Sequence, residues 1–191
     1  MRSVFRRSLF LWLLAATLLA SSAVAQSPYS QATSAYEVAG GVDYLHTSRV
    51  DTCCFNMTGF NGTFAYNASD NFSAVADVRS FSKNNIASSG ENLRLITFLA
   101  GPRVVLRGGK FAPFAQVLVG LGHGTSNFTL GNGSAWAASF GGGVDVAIKS
   151  SISWRVIEVG DVLTHIKNGG SNQQNSVQVS TGIVYGFGGS K

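Results

Sequence analysis

The mature part of this chain lacks the long apolar run that a helical membrane protein requires. Nothing after Gln26 approaches the roughly 20 apolar residues of a spanning helix. Charged residues make up only 12% of the chain, yet it contains 13 phenylalanines and 23 glycines. A disordered chain is usually rich in charge and poor in aromatics. The composition therefore indicates many β-strands with small residues at crowded positions.

Cysteine is almost absent. Cys53 and Cys54 are the only two, and they are adjacent. A pair at consecutive positions cannot link distant strands, so no disulfide framework is predicted. We interpret them as a loop pair, either free or joined to each other, and predict neither a cofactor nor a metal.

The N-terminus has the three parts of a secretory signal. A basic stretch up to Arg7 precedes an apolar run over 9–20, and Ala23-Val24-Ala25 forms a cleavage site before Gln26. We therefore predict a cleaved signal peptide over 1–25 and a short segment over 26–34. Removing its three arginines lowers the formal net charge from +5 to +2. With no basic patch interleaved with aromatics, no nucleic-acid partner is predicted.

The C-terminal sequence 177–187 alternates strictly. Odd positions carry apolar or aromatic residues, except Thr181, and even positions are mostly small or polar. A period of two places these sets on opposite faces of a strand. A lipid-facing apolar row and a small polar inner row are typical of an outer-membrane barrel strand. The outer row also resembles the signal read by barrel-assembly machinery, although four residues follow its last aromatic; that predicted signal comprises Ile183, Tyr185 and Phe187.

The same alternation predicts eight strands, at about 35–46, 59–68, 71–81, 92–107, 110–123, 135–148, 152–165 and 175–187. The connections after strands 2, 4 and 6 are short, and the others are longer. This asymmetry is typical of short periplasmic turns and longer extracellular loops. A soluble lipocalin-like barrel would have an apolar interior and a polar exterior, the opposite polarity. The sequence therefore predicts an all-β, eight-stranded antiparallel transmembrane β-barrel over 35–187, with a tail over 188–191.

Strand 7 departs from the alternation. Arg155, Glu158 and Asp161 are three residues apart, so one regular strand cannot point all of them inward. A charge on the lipid face near the bilayer centre costs roughly 2–4 kcal/mol for Arg and less for an acid. We therefore predict one or two β-bulges in this strand, with Gly160 as the favoured site.

Three segments carry a resemblance to a known family: Gly101-Pro102-Arg103, Ala112 to Gly120, and Trp154 to Asp161. In these segments the chain resembles small Gram-negative outer-membrane β-barrel proteins, and is similar to the transmembrane domain of outer membrane protein A. The likeness covers essentially the whole mature chain. It implies structural, adhesive or pore-like roles, and places the chain in the cell outer membrane.

Most charged residues of the strands fall on the predicted inner face. Eight strands leave room for little beyond side chains, so buried charges there must be paired. Asp145 and Arg155 flank the turn between strands 6 and 7 and can pair across strands. We favour a structural plug of ion pairs, with a small polar pore or gate as the alternative. The predicted network comprises Glu37, Asp43, Asp77, Arg79, Arg103, Asp145, Arg155, Glu158 and Asp161.

Two weaker patterns involve histidines. His46, His123 and His165 fall near the outer ends of strands 1, 5 and 7, where a metal could bind, but we interpret them as interfacial side chains. His46 and Ser48 have the spacing of the His and Ser of outer-membrane lipid A deacylases. As a nucleophile, Ser48 would need His46 as base and an acid such as Asp43. Ordinary polarity at the rim is the favoured interpretation.

Together these patterns predict a non-catalytic integral outer-membrane protein with a structural or surface-contact role. The alternatives are a narrow channel for small polar solutes or ions and, more remotely, a lipid-modifying enzyme. The expected partners are outer-membrane lipid, the barrel-assembly machinery during biogenesis, and an unidentified partner outside the cell or in the envelope.

Overall fold

The computed structural model describes residues 33–48, 55–86, 91–126, 133–165 and 174–190. These form eight strands: β1 (Ser34–Ser48), β2 (Phe55–Asn67), β3 (Phe72–Ile86), β4 (Glu91–Val105), β5 (Phe111–Ser126), β6 (Gly133–Lys149), β7 (Ile152–Thr164) and β8 (Gln174–Ser190). Each strand pairs antiparallel with its neighbour in sequence, and β8 pairs with β1 to close a barrel. The predicted fold class is confirmed. The predicted signal peptide and the two cysteines lie outside the described residues.

In that part of the chain, no helix is long and apolar enough to cross a membrane.

Several strands extend beyond their predicted ends. β2 begins at Phe55, β3 continues to Ile86, and β8 runs to Ser190, which pairs with Ser34. The backbone ladder needs no apolar face, so it continues where the alternation fades. The β3–β4 connection therefore shrinks to 87–90, no longer than the β4–β5 turn over 106–110. The predicted strict alternation of short and long connections fails at this point.

The short turns after β2, β4 and β6 lie at one end of the barrel, together with the start of β1 and the end of β8. We call this the turn end, and the opposite end the loop end. Outward side chains are large and apolar, for example Phe60 with 72% of its surface exposed. At the turn end Tyr36 packs against Phe64, Tyr66 and Phe187, with ring centroids 5.5–6.0 Å apart. An apolar outer face bounded by aromatics is typical of a transmembrane barrel and excludes the lipocalin polarity.

The inner face is less uniformly small than the sequence predicted. Towards the loop end, inward apolar side chains form an apolar layer, comprising Leu45, Met57, Phe81 and Val162, each at most 3% exposed. Leu45 and Phe81 lie two residues beyond Asp43 and Arg79 on their strands, so this layer lies directly above the charges. Inward glycines create the space for large neighbours. At Gly143, for example, a Cβ atom would lie 2.9 Å from Cζ of Phe114.

The irregularity predicted for strand 7 is present, but at a different position. The register of β7 against β8 shifts between Arg155 and Glu158, and not at Gly160. Val156 and Ile157 are therefore both exposed on the outer face. The extra residue lets Arg155 and Glu158, three apart in sequence, both point inward.

Thr181, the polar member of the outer row of β8, lies opposite this bulge. Its hydroxyl donates a hydrogen bond to the carbonyl oxygen of Arg155 at 2.9 Å and accepts one from Nε1 of Trp154 at 3.2 Å. A bulge interrupts the ladder, and an unpaired carbonyl facing lipid is costly. Thr181 supplies the partner that the regular ladder would have provided.

We expect Thr181→Val to destabilise the folded barrel by about 1–3 kcal/mol, because it leaves the Arg155 carbonyl without its side-chain donor. The measurement is reversible denaturant unfolding of the protein refolded into phospholipid vesicles. Thr58→Val is the control, since Thr58 is another threonine on the outer face and is exposed. Equal effects of the two substitutions would show that the bulge does not depend on Thr181.

Candidate functional site: the charged interior

Arg79, on β3, lies at the centre of the charged interior. Its Nη1 donates to Asp43 Oδ1 at 2.9 Å, its Nε to Asp77 Oδ1 at 2.7 Å, and its Nη2 to Glu158 Oε1 at 2.5 Å. Asp77 also accepts a hydrogen bond from Thr63. Since Arg79 is only 3% exposed, three carboxylates surround a cation that has almost no contact with solvent.

Glu158 joins this centre to a second one. While Oε1 accepts from Arg79, Oε2 accepts from Nη1 of Arg155 at 3.1 Å. Arg155 in turn forms a two-point contact with Asp145, at 2.8 and 3.0 Å. The predicted pair across the β6–β7 turn is confirmed. Because β3 and β7 lie four strands apart in a ring of eight, the Arg79–Glu158 bridge crosses the full width of the barrel.

Gln116 extends the network to a third arginine. Its amide nitrogen donates to Glu158 Oε1 at 3.1 Å, and its amide oxygen accepts from Nε of Arg103 at 2.9 Å. The guanidinium groups of Arg103 and Arg155 both lie over the ring of Phe114, 4.8 and 4.5 Å from its centroid. Arg103 therefore has an aromatic and an amide as its neighbours in place of a carboxylate.

Nearest the turn end, Arg107 pairs with Glu37 at 2.6 Å. Asn67 supports this pair, since its side-chain nitrogen donates to Glu37 and its oxygen accepts from Arg107. Arg107 also donates to the carbonyl oxygen of Asp70 in the β2–β3 turn.

Of the predicted interior residues, Asp161 alone faces outward. Its neighbours in register are Phe140 and Val177, both exposed, while the adjacent Val162 is buried. The prediction for Asp161 was wrong because the bulge lies before Glu158 and returns β7 to regular alternation. One bulge can turn only one of these two acids inward, and Glu158 has two arginine partners there. The others all line the interior: Glu37, Asp43, Asp77, Arg79, Arg103, Asp145, Arg155 and Glu158.

Sequence reasoning missed Arg107, Asn67 and the linking role of Gln116. Arg107 was assigned to the end of strand 4 beside a glycine pair, where a solvated side chain is the ordinary expectation. Its inward direction could have been read from the alternation, because it continues the row of Arg103 and Val105.

The three histidines each have a separate neighbour. His46 is within 2.6 Å of Asn56 Oδ1, His123 within 2.8 Å of Ser134, and His165 stacks on Trp136. The described strands contain no group of three residues able to hold a metal.

The family described as outer membrane protein beta-barrel domain matches residues 14–187. The chain belongs to this family. Membership of this family indicates a location in the outer membrane. A search of curated proteins found no match.

Two solved structures illustrate the likeness. Neisserial surface protein A has 14% sequence identity and a TM-score of 0.63, with 81% of this chain and 98% of that one covered. The attachment invasion locus protein Ail of Yersinia pestis has 12% identity and a TM-score of 0.59, with 81% and 100% covered. At these identities the comparison shows the shared barrel fold.

Breaking the Arg79–Glu158 bridge should lower the free energy of unfolding far more than breaking the Glu37–Arg107 pair at the turn end. We expect Glu158→Gln to destabilise the protein by about 3–5 kcal/mol, because two buried arginines lose their shared anion. Glu37→Gln should cost only about 1 kcal/mol, since solvent at the turn end can replace the lost contact. Guanidinium unfolding of both variants in one detergent provides the measurement. Similar losses would contradict a central role for Glu158.

Proposed function

We propose that this protein is a closed, non-catalytic outer-membrane barrel whose role is structural or is performed by surface contacts of its external loops. The interior serves stability: its charges neutralise one another and hold the strands together. Solute passage is not part of this role.

The observation that supports the proposal is the succession of two obstructions along the barrel axis. The network around Arg79 and Glu158 spans the interior from β3 to β7. The apolar layer of Leu45, Met57, Phe81 and Val162 covers it on the side of the loop end. A solute would have to break buried ion pairs and then cross an apolar constriction, and both steps are costly.

The geometry gives little support to the enzyme hypothesis. Asp43 points inward and bonds to Arg79, whereas His46 lies on the opposite face of β1 and bonds to Asn56. Asp43 therefore cannot orient His46 as a general base. The side chain of Ser48 lies outside the described residues.

A role in surface contact agrees with the kind of protein that shares this fold. Ail of Yersinia pestis, named for attachment and invasion, has also been solved in complex with the heparin analogue sucrose octasulfate, and that structure has a TM-score of 0.57 to this chain at 13% identity. For the present protein we propose that contacts are made by the connections at the loop end, with a partner still to be identified.

A narrow channel is the second candidate, and one observation favours it. The turn end opens into a polar depression that reaches Arg103 and Asp145 well inside the barrel. If the two obstructions above it were mobile, this depression would be the entrance of a pore.

Single-channel recording of the refolded mature protein in a planar bilayer separates the two candidates. Heat-dependent gel mobility first confirms that the barrel has formed. We expect a folded but silent barrel, because the resting network fills the interior.

Steady, discrete openings would contradict the closed barrel. Arg155→Ala then tests whether they run through the interior, with Lys110→Ala as the control at an exposed position near the turn end. Openings altered by the first substitution and not by the second would establish the channel.

A further inference from the structure

The depression at the turn end, which we call the vestibule, has the composition of a binding site. It is lined mostly by polar and charged residues, which come from the first and last strands, the middle strands and two turns: Ser34, Glu37, Arg103, Val105, Arg107, Asp145, Ser150, Ser151, Ser153, Val184 and Gly186. The vestibule lies on the turn-end side of the charged network, and Arg103 and Asp145 belong to both.

One of the two arginines that line the vestibule has no direct ion pair. Glu37 is matched by Arg107 at 2.6 Å, and Asp145 by Arg155 at 2.8 Å. Arg103 has no carboxylate oxygen within the 4.0 Å that defines an ion pair, within the described strands and turns. Arg103 is therefore the one arginine of the interior, among the described residues, without a directly paired carboxylate.

The guanidinium group of Arg103 also lacks a hydrogen-bond acceptor for one of its donors. Arg103 is 2% exposed, and its Nε donates to Gln116. Its Nη2 has no hydrogen-bond partner among the described residues. A buried guanidinium group with a free donor is costly unless an acceptor or anion approaches it.

We propose that the vestibule binds a small oxyanion, a phosphate or carboxylate group, with the guanidinium group of Arg103 as the charged donor. The serine hydroxyls of the β6–β7 turn, Ser150 and Ser151, line the mouth and supply neutral donors. Because Glu37 and Asp145 are also in the lining, the site disfavours a multiply charged anion. In the family's orientation the turn end faces the periplasm, so the ligand comes from that side.

The test uses the refolded barrel in detergent and isothermal titration calorimetry, with inorganic phosphate and acetate as separate probes at constant ionic strength. We expect the wild-type protein to bind at least one of the two probes saturably. The tighter probe identifies whether a phosphate or a carboxylate group is preferred. Arg103→Gln should weaken binding about tenfold or more, the loss expected when a charge-assisted hydrogen bond is removed.

Lys149→Gln is the matched control, since it removes the same charge at an exposed position beside the mouth. Retained affinity in this variant supports a specific site, whereas an equal loss in both variants shows diffuse attraction and overturns it. Absence of saturable binding to the wild-type protein overturns the proposal without any variant. If Arg103→Gln does not refold, Arg103→Met replaces it, and unchanged affinity in either contradicts the role of Arg103.

Discussion

The width of an eight-stranded barrel constrains everything inside it. Such a barrel holds side chains and little solvent, so each inward charge must find its counter-charge on another strand. The bridge from Arg79 to Glu158 meets this condition across the full diameter. It requires Glu158 to point inward, which requires the bulge in β7. The bulge in turn leaves the carbonyl oxygen of Arg155 without a backbone donor, and the hydroxyl of Thr181 on the neighbouring strand replaces that donor.

The sequence was sufficient wherever a local rule determines direction. Alternation with a period of two predicts the strands, their number and the lipid-facing row, because each residue is placed relative to its immediate neighbours. The Asp145–Arg155 pair could be predicted for the same reason, since a short turn brings its two positions together. Strand ends were less accurate, because the backbone ladder of β3 continues through polar residues that carry no apolar signal.

The predictions that failed concern residues whose direction is determined by contacts between distant strands. The choice between Glu158 and Asp161 as the inward acid is decided by Arg79, which lies 79 residues from Glu158 in the chain. No pattern within β7 contains that information. The apolar layer was missed for a related reason, because the inward direction of Leu45 and Phe81 conflicts with the expectation of small inner residues. Space for large side chains is provided by glycines on other strands, such as Gly143 opposite Phe114.

The bridge between β3 and β7 also bears on how the barrel enters the membrane. A sheet inserted strand by strand would expose Arg79 and its carboxylates to lipid before β7 arrived. A lipid-facing arginine near the bilayer centre costs roughly 2–4 kcal/mol, and an open sheet edge adds unpaired backbone groups. A sheet that curls and closes as it crosses the bilayer avoids both costs. Intermediates that lack β7 would therefore be disfavoured by their unpaired charges, and concerted insertion would be favoured.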